Sequence, residues 1–104
     1  KTELQESVLQ ELIDGNPSSQ SGYDTLGQMY LKGKKWDQAE QVYTQMLVSN
    51  VNPAAALAGL GDAHAGQGNW PQAAEDYRQA MARSTNRDTI RELEKKAQAA
   101  EKRK

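Results

Sequence analysis

The segments QSGYDTLGQMYLKGKKWDQAEQVY at residues 20–43 and AAALAGLGDAHAGQGNWPQAAEDY at residues 54–77 repeat each other at an offset of 34 residues. Leu26-Gly27 returns as Leu60-Gly61, Trp36 as Trp70, Gln38-Ala39 as Gln72-Ala73, and Tyr43 as Tyr77. A period in the thirties, with small and aromatic residues at helical spacing, is the pattern of stacked helical hairpins. One hairpin cannot bury its apolar face alone, so the repeats must pack on one another and share a continuous core.

Outward from these segments the helices follow in order. Thr2 and Gln5 fit a capping box, and Leu4, Val8, Leu9, Leu12 and Ile13 line one face of a first helix. Gly15 and Asn16-Pro17 are expected to stop it. A second helix is predicted from about Ser19 to Leu31, with Tyr23, Leu26, Gly27 and Tyr30 inward and Gly33 as its breaker. A third, from about Trp36 to Val48, buries Trp36, Ala39, Tyr43, Met46 and Leu47. Asn52-Pro53 is a cap followed by a first-turn proline, and the helix it starts runs to about Ala65. Gly66 and Gly68 end that helix, and Asn69-Trp70-Pro71 opens the fifth, with Ala73, Tyr77, Ala80 and Met81 inward. Ser84 to Asn86 form the last turn before a sixth helix at about Arg87 to Lys102. No strand pattern occurs, so the fold class is all-α.

Gly27 and Gly61 fall in mid-helix, where glycine costs about 1 kcal/mol relative to alanine. The cost makes sense if the partner helix of each hairpin crosses there and leaves no room for a Cβ. Ala39 and Ala73 then supply the small surface from the other side, and aromatics fill the space around the contact.

On these residues the chain resembles the tetratricopeptide repeat (TPR) family. A unit begun at Gln20 gives Tyr23, Leu26-Gly27, Tyr30, Ala39, Tyr43 and Met46 at the family's marked positions. A unit begun at Ala54 gives Leu57, Leu60-Gly61, His64, Ala73, Tyr77 and Ala80. Three departures stand out: His64 for an aromatic, Met46 for alanine, and a middle proline displaced to Pro53. Pro17, Leu9 and Leu12 extend the phase backwards, so residues 1–19 read as the second half of a degenerate repeat. The resemblance implies a right-handed solenoid of about six helices. Its parts would be the half-repeat 1–19, full repeats 20–53 and 54–86, and a capping helix with a basic tail at 87–104, where the Leu-Gly pattern is lost.

Composition limits the chemistry. The chain has 104 residues, 37% of them apolar, with no Cys and no Phe, so it can bury a modest core and has no disulfide or thiolate metal site. No run reaches the roughly 18 apolar residues of a membrane span, and the start at Lys1 without Met reads as a fragment or processed product. The sole histidine, His64, is expected in a hairpin core. Asp62 stands two residues away on a different helical face and forms no ready dyad with it. One histidine with scattered acids does not make a metal site. Gly66-Gln67-Gly68 follows no strand and is a hairpin turn, unlike a phosphate loop. Ser18, Ser19 and Ser21 have no activating partner. Trp36 and Trp70, at one unit position and without interleaved cations beside Trp70, are read as core residues over stacking platforms for bases. No enzymatic activity, cofactor or metal is expected.

Function then rests on surfaces. In the TPR family the first helix of each unit lines a concave groove, which here would be faced by Ser21, Asp24, Thr25, Gln28 and Lys32, then Ala55, Ala58, Gly59 and Asp62. Members that grip acidic chaperone tails use Lys, Arg and Asn in the groove. Thr25, Ala55 and Gly59 occupy those places, so that clamp is missing. The small residues serve either inter-repeat packing alone or the close approach of a partner segment, with Asp24 and Asp62 available to a basic residue. The expected function is a protein–protein interaction scaffold that binds a partner segment through Gln28, Ala55, Ala58 and Asp62, with Tyr23 and Asp24 at the edge. Two alternatives remain. The run DTIRELEKKAQ at residues 88–98, followed by Lys102-Arg103-Lys104, is similar to the helix joining TPR arrays to a J-domain in some co-chaperones. The same basic end could contact RNA or an anionic surface, although cations also suit a helix C-terminus, and nucleic acid is not the expected partner. Weak self-association through an uncovered first helix is a further expectation.

Overall fold

The computed structural model describes residue 15 and residues 20–103. Five helices follow one another in the segment 20–103: α1 (Gln20–Lys32), α2 (Trp36–Val48), α3 (Pro53–Gly66), α4 (Trp70–Arg83) and α5 (Arg87–Lys102). No strand occurs among the described residues. The expected first helix and half-repeat, and with them the proposed uncovered end, lie outside the described residues. Gly15, expected as a stop, is itself helical.

Helix ends show why the chain turns where it does. Asn52 caps α3 from a left-handed backbone (φ 44°), its side chain accepting from the Ala55 amide at 3.3 Å, with Pro53 next in line. Asn86 caps α5 by accepting from the Asp88 and Thr89 amides at 2.9 and 3.1 Å. Asn69 precedes α4 but makes no side-chain cap bond. Helix α1 ends at Lys32, with the expected breaker Gly33 opening the turn. The left-handed residue there is Lys34 (φ 59°), and its counterpart one repeat later is Gly68 (φ 81°). The same turn closes in both places, with Lys35 N–H donating to Tyr30 O at 2.8 Å and Asn69 N–H to His64 O at 2.9 Å.

Each helix packs chiefly on its neighbours in sequence, and α1 also reaches α3. The interior is one cluster running from Tyr23 and Leu26 through Tyr43, Met46, Leu57, Ala63, Ala73 and Tyr77 to Leu93 and Ala97 on α5. Trp36 and Trp70 are only half-buried, at the margin of that core.

The mid-helix glycines have a different cause from the one expected. What leaves no room for a Cβ is an aromatic ring, not the backbone of a crossing helix. An added Cβ at Gly61 would lie 2.5 Å from Tyr77 Cε1, and one at Gly27 would strike the Tyr43 ring. Gly59, expected to face the groove, is buried instead, and the other side of the same Tyr43 ring covers it. Tyr43 of α2 thus lies between Gly27 of its own hairpin and Gly59 of the next. Trp36 likewise lies on Gly66 across the α2–α3 boundary.

Candidate functional site

Ala55, Ala58 and Asp62 stand at i, i+3 and i+7 on α3 and share one face. All three are half-buried. Ala55 and Ala58 line a depression of about 370 Å³ between the start of α3 and the α4–α5 turn, closed by Asn52, Ala54, Arg83, Ser84, Thr85, Asn86 and Thr89. The absence of long side chains on α3 keeps it open. Arg83, Thr85 and Thr89 were not expected there. Their signal was weak, because their counterparts one period earlier are Ser49, Val51 and Ala55, so the repeat does not mark them.

Further along this face the polar groups follow the repeat. Gln28 and Asp62, equivalent residues of α1 and α3, each meet the hydroxyl of the tyrosine 15 positions later. Gln28 Nε2 donates to Tyr43 Oη at 3.3 Å, and Tyr77 Oη donates to Asp62 Oδ1 at 2.6 Å. Lys96 of α5, the next residue in that register, brings Nζ to 3.2 Å from Asp62 Oδ1 and 5.7 Å from the centre of the Tyr77 ring. Both hydroxyls are hard to ionise. Burial, then the charges of Asp24 and Asp62, push Tyr43 up to about 12. Burial, followed by the bond to Asp62 and the Asp62 and Asp76 charges, pushes Tyr77 well above the usual tyrosine range.

On α1, Gln28 is exposed and Asp24 half-buried, with Gln20 Nε2 at 3.5 Å from Asp24 Oδ2. Tyr23 is not at the groove edge. It is wholly buried, with its hydroxyl 3.2 Å from Ser49 Oγ, because its ring belongs to the α1–α2 interior. The structure therefore brings together Ala55, Ala58 and Asp62 on one face, sets Asp24 and Gln28 on α1, and removes Tyr23.

A second polar cluster lies on the α3–α4 side. His64 Nδ1 is 2.5 Å from Asp76 Oδ2, and its Nε2 is 3.6 Å from Glu40 Oε2 on α2. Gln72 Nε2 donates to the other Asp76 oxygen at 2.9 Å, while Gln67 donates to Asp37 and Glu40. The partner of His64 is thus Asp76, twelve residues on, and helical spacing within α3 could not reveal it. The cluster ties α2, α3 and α4 together and has no nucleophile. Among the described residues no group of His, Cys, Asp or Glu is placed to hold a metal ion, and no helix is long and apolar enough to cross a membrane. Trp70 also departs from expectation, since the Arg103 guanidinium stacks on its ring at 4.8 Å.

The order of helical hairpins agrees with the comparisons with known families. Two family models, both described as tetratricopeptide repeat, match residues 23–54 and 54–86. The chain belongs to the tetratricopeptide repeat family. TPR domains are protein–protein interaction scaffolds and typically carry no catalysis of their own, and this TPR chain is read in that class. No curated protein matches it by sequence.

Proposed function

We propose that this TPR protein binds a segment of a partner protein along the face formed by Asp24 and Gln28 of α1 and Ala55, Ala58 and Asp62 of α3. The supporting observation is the open depression over Ala55 and Ala58, where small side chains let a partner backbone come close. The face offers shape and a few polar contacts instead of a greasy trough, since the large apolar residues of α1 and α3 point into the core.

A photo-crosslinking side chain at Thr89, which borders the depression, tests this. It should capture the partner, whereas the same group at Gln38, exposed on α2 and distant in sequence from every residue that lines the depression, should not. Ala58→Arg should abolish capture with the melting temperature kept. Capture that survives Ala58→Arg but disappears when Lys102, Arg103 and Lys104 are neutralised would transfer the interface to the basic end.

A further inference from the structure

Lys96 meets Asp62 through a seat that is largely built without it. Asp62 is fixed by the Tyr77 hydroxyl at 2.6 Å, and the Tyr77 ring packs against Gly61. A carboxylate and an aromatic face together form a receptor for an ammonium group. Lys96 fills it at 3.2 Å from the carboxylate and 5.7 Å from the ring centre. Its hold is loose. The Lys96 side chain is 48% exposed and that of Asp62 30%, and among the described residues no hydrogen bond to Asp62 Oδ2 accompanies the two at Oδ1.

We infer that this seat is the cation subsite of the groove, selecting a partner segment that carries a lysine, and that Lys96 is its internal occupant, displaced when the partner binds. The inference rests on the groove reading above and adds the chemistry of the partner. Asp62 and Ala58 lie four residues apart on one face of α3, so a segment entering over Ala58 brings its next side chain to the seat. Exposed ion pairs and cation–π contacts are individually weak, so an incoming lysine can exchange with Lys96 at little cost.

The test uses the full chain and a labelled, end-blocked peptide of alternating alanine and lysine, with its alanine–glutamate counterpart as control. Binding is followed by anisotropy and located by NMR shifts on α3. Lys96→Gln should tighten the lysine peptide about three- to tenfold, the size expected from removing one exposed pair and one cation–π contact. Lys95→Gln changes the net charge equally on a neighbouring exposed position and should give no gain. Adding Asp62→Asn to Lys96→Gln should erase the gain. An equal gain in Lys95→Gln, no gain in Lys96→Gln, or the same gain for the glutamate peptide would each overturn the inference. No gain, with shifts on α3 that Ala58→Arg removes, would reject the internal occupant and leave the groove reading standing. Peptide shifts that avoid α3 in every variant would reject both.

Discussion

Tyr43 and Tyr77 each combine a buried ring with a hydroxyl that must stay protonated, and this sets two predictions. The first is steric. Gly61→Leu should destabilise the protein by about 1–3 kcal/mol by forcing a side chain into the Tyr77 ring. Gly59→Ala should also destabilise, since the Tyr43 ring has Gly27 behind it and cannot retreat. Denaturant melts showing either variant as stable as the parent would contradict the ring-on-glycine seat. The second concerns pH. An unfolded tyrosine releases its proton near 10, whereas folded Tyr43 holds it to about 12. Between these values the unfolded chain binds fewer protons, so this contribution is complete below about 10 and is lost as pH rises towards 12. Tyr43→Phe should flatten part of that loss in alkaline melts while its ring keeps the seat filled. At this scale the sequence was legible only in part. The spacing of Gly27 and Gly61 announced a close contact, but not that a ring would make it. Tyr23 reads equally as core or rim from its position, and packing decided for core.

Helix limits were legible because they are set locally by prolines, asparagines and glycines near the helix ends. Which of these residues makes a bond was not. Asn86 accepts two amide bonds and Asn69 none, although both stand immediately before a helix. Asn86→Ala should therefore cost about 0.5–2 kcal/mol, and Asn69→Ala distinctly less, in paired urea melts. The α1–α2 turn carries a similar asymmetry. Lys34 adopts the left-handed backbone that Gly68 adopts one repeat later. Lys34→Gly should relieve roughly 1 kcal/mol of that strain, partly offset by glycine's greater freedom when unfolded. A melting temperature below the parent's would show that the entropy term wins.

Across the whole molecule the polar contacts that link helices join residues far apart in sequence, which is why most were invisible before folding. His64 and Asp76 face each other only because α3 and α4 pack antiparallel, and Asp76 is 96% buried. Asp76→Ala should cost about 1–3 kcal/mol, the usual result of stranding a buried hydrogen-bonding partner, and a calorimetric scan with an unchanged midpoint would refute this. The Lys96–Asp62 contact was closer to legible, since both residues hold one register position in successive units, yet the loss of the Leu-Gly pattern on α5 hid it. The Tyr43 ring, seated between Gly27 and Gly59, also bears on how such a chain can lengthen over evolutionary time. The residue one period before Gly59 is Thr25. A tandem copy of residues 20–53 would bring a threonine Cβ onto the preceding tyrosine ring, whereas a tandem copy of residues 54–87 would bring a glycine. Duplicating the second unit thus preserves the seat of the ring, whereas duplicating the first would require it to repack, since the buried Leu93, one period after Gly59, shows that a side chain can follow a tyrosine in this register.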